Sequence, residues 1–435
     1  MSSKKTINRR TFLKSATIAA ASPMIVPSSV LGLGTSVAPS ERVTVGCIGV
    51  GGRGSSNMRS FLQLEGSQVI AVCDVDVNHR NRAKRDTGLD DGNLYNNFED
   101  VIARDDIDAV SIGTPDHWHA YMTIASAHAG KDIYCEKPLS LTLDEGRSMV
   151  NEVNQAGRIL QTGTHRRSIN TVRKACELVR NGRVGDVHTV HVGVPEGFLV
   201  RGDYSTNDLV QPIPEGFDYD RWLGQAPDAP YTGARCHFNF RWIKAYSAGY
   251  ITDWGAHYYD LAQWGLGMDH TGPVKIEGEA SFPEKGLYDA SILHRLEFTY
   301  ANGVKLISTT TKDSAQWGAR FEGSDGSLYI ETKEIITDPK TIDTSDIAPD
   351  GIQLYRASNH HVNFLDCVKS RKQPSAPGEV AHRSASICHI GAIALELNEG
   401  LTWDPVKEEF EGNTTANTLC SRPSRGKWGL ESLTS

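Results

Sequence analysis

The chain contains no Cys-x-x-Cys pair, no long run of basic residues and no uninterrupted apolar stretch of about 20 residues. Each absence removes a class of function. Its eight cysteines (47, 73, 135, 176, 236, 367, 388 and 420) are scattered through apolar runs, so they read as small buried hydrophobes and free thiols rather than a disulfide framework or a zinc site. Three of them, Cys47, Cys73 and Cys135, fall inside candidate strands. Lys and Arg number 45 against 53 Asp and Glu, a formal charge of -8, so there is no footprint for nucleic acid. The longest Ala-rich segment, Ser15 to Leu33, is cut by Pro23 and Pro27 and makes a poor spanning helix. The hydrophobic content, 39%, is that of a soluble globular protein, and 435 residues leave room for two domains of about 100–200 residues each. No internal repeat is visible.

What is present begins with a strand-like run, Arg42 to Ile48, leading into Gly49-Val50-Gly51-Gly52-Arg53-Gly54 and then a helix-compatible stretch, Ser55 to Leu64. Strand, glycine turn and helix together are the context in which a glycine fingerprint binds a dinucleotide: the glycines permit a tight turn and close approach to a pyrophosphate, which the helix amino terminus holds. A second strand, Val69 to Cys73, ends at Asp74, whose carboxylate can bond a ribose 2′-hydroxyl and repel a 2′-phosphate. NAD is therefore the expected cofactor, with NADP kept open by Arg80 and Arg82. Further strand and helix alternation, through Ala109 to Ile112, Ala120 to Ala129, Ile133 to Cys135, Glu145 to Ala156 and Ile159 to Thr162, predicts a doubly wound parallel sheet spanning about 41–165.

Glu136-Lys137-Pro138 closes the strand at Cys135. A lysine at the carboxyl edge of such a sheet sits where a nicotinamide ring would lie. The alternative is a solvated surface lysine. Farther along, Asp253 and His257 stand four residues apart, which predicts one face of a helix with the carboxylate fixing the imidazole tautomer. A helix-capping aspartate and a core histidine are the plainer reading of that pair.

After 165 the grammar changes. Val187 to Val194, Val274 to Ala280, Ser291 to Tyr300, Val304 to Thr311 and Ser327 to Ile330 read as strands separated by Asn-Gly and Asp-Gly turns, which predicts a mostly antiparallel sheet with helices on one face in a domain covering 166–435. The aromatic and Pro-rich insertion from Pro195 to Trp242 reads as substrate loops with little core of its own. Two helices are expected, His360 to Ser370 and Ala381 to Asn398, then a surface tail from Trp403. His165 and Arg166 could reach substrate or form an interdomain salt bridge; Arg241 and Tyr246 are candidate sugar contacts. His117-x-His119 with Asp253 and His257 could imitate a metal site but lacks local ligand spacing, so no metal is expected.

At the amino terminus, Asn8-Arg9-Arg10-Thr11-Phe12-Leu13-Lys14 closely resembles a twin-arginine export signal, so residues 1–40 are expected to be signal and linker and the mature protein periplasmic. The glycine fingerprint, Gly113-Thr114-Pro115-Asp116 followed by His119, Glu136-Lys137-Pro138 and Asp253 with His257, in that order, resemble the Gfo/Idh/MocA oxidoreductases. That resemblance covers nearly everything after the signal. It implies an NAD(P)-binding Rossmann domain, an open-sheet substrate domain, and oxidation of a secondary hydroxyl on a sugar, glycoside or cyclitol. Lys137, Asp253 and His257 match the family's catalytic trio. Gly49, Gly51, Gly54 and Asp74 match its cofactor contacts, joined by Gly52 and Arg53, with Thr114, Pro115, His119 and Glu136 on the nicotinamide side. A tightly held NAD and a homo-oligomer are further implications. Two other functions remain at this stage: a redox-neutral glycoside hydrolase that recycles its NAD, and a non-catalytic sugar or nucleotide sensor.

Overall fold

Six short strands, three of them wholly buried, alternate with helices between Val43 and Thr162: β1 (Val43–Ile48), α1 (Gly52–Leu62), β2 (Ser67–Cys73), α2 (Val77–Thr87), β3 (Leu94–Tyr95), α3 (Phe98–Ile102), β4 (Ala109–Ile112), α4 (His119–His128), β5 (Asp132–Cys135), α5 (Leu143–Gln155) and β6 (Leu160–Thr162). The computed structural model describes residues 38–199 and 209–433, so the export motif around Arg9 and Arg10 lies outside the described residues. Residues up to Arg42 form a separate unit whose described part holds one 3-10 turn, Pro39–Glu41. All pairings of the six strands are parallel, in the order β3-β2-β1-β4-β5-β6. Near-continuous apolar strands such as Val-Thr-Val-Gly-Cys-Ile are what a sheet covered by helices on both faces requires.

The second sheet has nine strands in the order β13-β12-β11-β7-β10-β9-β8-β14-β15. In chain order these are β7 (Val187–Pro195), β8 (Lys275–Ser281), β9 (Leu293–Thr299), β10 (Lys305–Thr311), β11 (Gly318–Gly323), β12 (Gly326–Ile330), β13 (Ile335–Asp338), β14 (Leu401–Asp404) and β15 (Glu409–Phe410). Every pairing is antiparallel except β7 with β10. Along β9 burial alternates: His294, Leu296 and Phe298 point into the core, while Leu293 and Arg295 are exposed. One face of the sheet therefore carries the core and the other faces solvent. The core is completed by α6 (Asn170–Arg180), α9 (Gly255–Leu266) and α11 (Gly378–Leu397), which bury Val172, Leu261 and Ile387 against Leu296, Phe298 and Phe321.

Five strands were not expected from the sequence: β3, β11, β13, β14 and β15. β11 opens with Gly-Ala-Arg after a turn, too little apolar alternation to stand out. The insertion departs more sharply from expectation. It forms a core of its own, with Phe217, Tyr219, Trp222, Phe240, Trp242 and Tyr246 all buried, and α7 (Tyr219–Leu223) within it. The aromatic content meant packing as much as ligand contact. The tail likewise returns to the first domain, where Trp428 is buried with its ring 5.5 Å from that of Trp118 and Arg422 pairs with Glu145 at 3.3 Å.

All eight cysteines are free and buried, as their apolar surroundings imply. No helix among the described residues is long and apolar enough to cross a membrane. The two domains are pinned by Arg167, just past β6, whose Nε donates to both carboxylate oxygens of Asp260 on α9 at 2.9 Å and whose remaining nitrogens reach Asp269 at 2.7 and 3.1 Å. Arg167 and Asp260 are almost wholly buried, so removing one partner strands a charge in a dry interior. Arg167→Ala is expected to lower the free energy of unfolding by about 3–5 kcal/mol, measured by urea titration.

Candidate active site

A cleft of about 660 Å³ runs along the carboxyl ends of the parallel strands and under the aromatic insertion. Gly51, Gly52 and Asp74 line it, as do Thr114, Lys137 and Arg241. Gly49 turns the chain out of β1 at φ 74°, a conformation in which a side chain is strained. At Gly54 an added Cβ would fall 1.8 Å from the Gly49 carbonyl oxygen, so that glycine serves the packing of α1 on the turn rather than the cleft itself. Gly52 is different: a Cβ there meets nothing within 4 Å. No side chain caps the amino terminus of α1, which leaves its first-turn N–H groups for an anionic ligand.

Asp74 closes β2 and lines the cleft. Its Oδ1 accepts from the Asp76 amide at 2.9 Å, and its Oδ2 faces His79 Nδ1 at 3.1 Å. Arg80 is committed elsewhere, donating to the Asp74 carbonyl and to Asn96 Oδ1, whereas Arg82 does line the cleft. The residues thus fit a dinucleotide: an uncapped helix start behind glycines, then a fixed carboxylate at the end of the second strand.

Glu136 is buried and does not stand alone. Its Oε1 accepts from Arg53 Nε at 3.0 Å and Asn57 Nδ2 at 2.8 Å, clamping the end of β5 to α1. Burial would raise its pKa, but Arg53 and the Asn57 bond outweigh that and hold it below the ordinary carboxylate value. Gly163 makes the room, since a Cβ there would sit 2.6 Å from Glu136 Oε2.

Lys137 points across the domain boundary. Its Nζ donates to Asp253 Oδ1 at 2.8 Å and to the Asp253 carbonyl at 2.5 Å, while Arg241 Nε reaches the same Oδ1 at 3.2 Å. Burial would raise Asp253, yet the two cations dominate and bring it to about 2. Here the structure corrects the sequence reading. Asp253 ends a short helix, α8 (Tyr250–Asp253), Trp254 interrupts it, and α9 starts at Gly255, so Asp253 and His257 do not share one helix. The carboxylate goes to the two cations, and His257 Nδ1, buried, has no hydrogen-bond partner among the described residues. Burial, then Lys137 and Arg166, push the His257 pKa well down, so its imidazole is neutral.

The other expected contacts divide. Pro115 lines the cleft beside Thr114, whose buried Oγ1 has no partner among the described residues. His119 does not reach the cleft: its ring nitrogens face the Pro138 carbonyl at 2.8 Å and the Thr114 carbonyl at 3.0 Å. Both bonds require the imidazolium; burial opposes that charge, but Cys135, Asp116 and the Pro138 carbonyl raise the pKa to about 10. His119 therefore braces the loop ends after β4 and β5. His117 likewise bonds the Trp222 carbonyl at 3.0 Å, so the imitation metal set does not converge. Tyr246 is buried in the insertion core, 4.9 Å from the Trp222 ring, and its hydroxyl meets Arg235. Arg166 pairs with Glu331 at 2.5 Å and lies over the Tyr258 ring, the interdomain tie rather than a cleft contact. His165 stands edge-on to His257 at 5.1 Å, outside the cleft lining, and burial lowers its pKa to about 4. Sequence reasoning missed Phe217, Arg221 and Phe238 as cleft walls; the aromatic density of the insertion was the available signal.

A parallel-sheet nucleotide cleft ending in a lysine held by the second domain defines a dinucleotide-dependent oxidoreductase. The comparisons agree: residues 43–164 match the model described as the oxidoreductase family, NAD-binding Rossmann fold, and residues 168–430 match the family's C-terminal alpha/beta domain, so the chain belongs to the Gfo/Idh/MocA family. It is 25% identical over 375 residues to a myo-inositol 2-dehydrogenase of Thermotoga maritima, covering 83% of this chain and 99% of that one. It is 38% identical over 163 residues to a glycosyl hydrolase family 109 protein of Shewanella pealeana, covering 32% of this chain and 35% of that protein. Its fold matches that of the aldose-aldose oxidoreductase from Caulobacter crescentus at a TM-score of 0.62 and 17% identity, covering 83% of this chain and 99% of that one.

Two outcomes are expected. Asp253 has a folded pKa below its unfolded value of about 3.9, so its pairing adds stability above that pH and loses it as pH falls through about 2. Asp253→Asn should therefore lower the unfolding midpoint clearly at pH 7 and progressively less below pH 4, read by calorimetry. Lys137→Ala should lower turnover by at least about 100-fold while nucleotide affinity changes little, read by steady-state kinetics alongside calorimetric titration.

Proposed function

We propose that this enzyme oxidises a secondary hydroxyl of a sugar, glycoside or cyclitol, with NAD as the preferred cofactor. The observation that carries the proposal is that Asp74, after β2, and Lys137, after β5, line one cleft with β1 and β4 between their strands, so a dinucleotide anchored at Asp74 can extend toward the Lys137 ammonium group. Bound NAD supplies the hydride acceptor. The rest belongs to the chain. Lys137, oriented by Asp253, donates a hydrogen bond to the substrate oxygen and stabilises the negative charge that develops there. His257, neutral, buried and outside the cleft lining, is the base assigned to the hydroxyl proton. Arg241 offers a second cation, through a guanidinium already fixed by Asp253.

Asp74 supports NAD over NADP, because its carboxylate is held rigid by the Asp76 amide and His79 where a 2′-phosphate would otherwise sit. We also infer that the cofactor is retained through turnover. The insertion docks on the cleft rim, with the Val77 amide bonding the Gly216 carbonyl at 2.9 Å and the Asp218 amide bonding the Val75 carbonyl at 2.9 Å. Retention also suits the export that Arg9 and Arg10 imply, to a compartment without a free nucleotide pool.

A second reading, redox-neutral glycoside cleavage with recycled NAD, is favoured by the 38% identity over 163 residues to the Shewanella glycosyl hydrolase family 109 protein. One assay separates the two. Purified protein incubated with aryl glycosides and with free sugars, with aglycone and nicotinamide absorbance followed together, is expected to show reduced nicotinamide or sugar-to-sugar transfer. Stoichiometric aglycone release without net NADH would replace oxidation by cleavage. Denaturing the protein purified without added nucleotide should release NAD(H); release of NADP(H) would refute the Asp74 argument.

A further inference from the structure

Three ligand atoms converge at the cleft, whose lining includes two of their residues, His79 and His237. Asp76, His79 and His237 each present one, all within 4.8 Å of one another. His79 Nε2 and His237 Nε2 both stand 3.8 Å from Asp76 Oδ2. In a tetrahedral zinc site with ligand bonds of about 2.0–2.1 Å, neighbouring ligand atoms lie about 3.4 Å apart, so each imidazole needs to close on the carboxylate by about 0.4 Å. The two histidines come from different domains: His79 from the first turn of α2, His237 from the insertion.

The surroundings are those of a metal ligand. His79 Nδ1 faces Asp74 Oδ2 at 3.1 Å, which fixes the proton on Nδ1 and leaves the Nε2 lone pair toward Asp76 and His237. A carboxylate behind a histidine in this way is the outer-shell arrangement that orients metal-binding imidazoles. Asp76 is similarly set: Oδ1 accepts from the Asn78 amide at 2.7 Å and caps α2, so Oδ2 remains for the histidines. His237 adopts φ 54°, uncommon for a residue with a side chain, and its ring sits edge-on to His79 at 5.1 Å. It is held there by the insertion, which docks beside Asp76 through the antiparallel bridge between Asp76 and Phe217.

We propose that Asp76, His79 and His237 bind one divalent transition-metal ion, zinc by donor set, which bridges the Rossmann domain to the insertion at the cleft rim. Two imidazoles and a carboxylate with a fourth position open to solvent suit zinc and disfavour magnesium, which keeps oxygen ligands and octahedral geometry. The ion takes no part in the oxidation. It acts as a bridge, and by binding only the folded chain it adds stability.

The test is calorimetric titration of zinc chloride into full-length protein stripped with chelator, with magnesium chloride as the comparison and thermal unfolding as the second readout. Wild type is expected to bind one zinc per chain, with no magnesium heat, and to unfold at higher temperature when loaded. His237→Ala, at a half-exposed position, should fold and bind zinc at least about 100-fold more weakly, and its unfolding should no longer respond to zinc. Absence of zinc binding by wild type, or equal binding and equal thermal response in His237→Ala and His79→Gln, would overturn the proposal.

Discussion

The pairing of Lys137 with Asp253 holds the active end of the molecule together. It is a largely buried ion pair, its side chains 14% and 15% exposed, and such pairs are worth little as glue but cost heavily when one member is missing. Here the lysine ends a strand of one domain and the aspartate ends a short helix of the other, so the charge requirement fixes the position of the second domain at the point where chemistry is expected. Arg241 adds a second donor to the same carboxylate oxygen, which explains why Asp253 stays ionised in a dry site. The consequence reaches His257: with the carboxylate taken, the imidazole has cations nearby and no anion bonded to it, and it is neutral.

Around that pair, the polar groups that the motifs pick out divide into groups that meet the cleft and groups that hold its walls. Glu136 clamps β5 to α1, and His119 bridges two carbonyls. His119 has no spare ring nitrogen to give a ligand, whereas Glu136 lines the cleft and keeps Oε2 outside its clamp. The insertion supplies most of the remaining wall, and its aromatic core makes that wall rigid: Trp222 stacks on Tyr219 at 5.9 Å and receives both His117 Nε2 and Trp118 Nε1 on its carbonyl oxygen. The loop after β4 and the insertion are thus one packed body.

The parallel sheet was readable because most of its strands are continuous apolar runs followed by a helix of the correct period, and the helix expected at His360–Ser370 has those bounds in the structure, where Asn359 caps it. The lysine, the glycines and Asp74 were readable because backbone constraints tie them to fixed places. What escaped had no local signature. Strands β11 and β13 are stabilised by their neighbours, and Gly318 to Gly323 alone carries too few apolar residues to announce itself. Asp253 and His257 looked like a helix pair because spacing is all that a sequence displays; the break at Trp254 and the competing cations are tertiary facts. Tyr246 and Arg166 show the same limit, since an aromatic or a guanidinium reads alike whether it meets a ligand or a neighbour.

The place of β7 in the second sheet has a consequence for how the chain is assembled. Its partners are β10, in parallel register from Lys305 with Thr189, and β11. Both are made more than a hundred residues after it. The Rossmann sheet has all its strands once Thr162 is synthesised and can close by short crossovers, but β7 must wait with both edges unpaired until β10 is complete at Thr311, and with one edge unpaired until Gly323. Parallel pairing across so long a loop is slow, and an exposed strand edge invites association with other chains. For this protein the vulnerable interval falls late in synthesis, and the apolar segment at risk is Val190 to Val194.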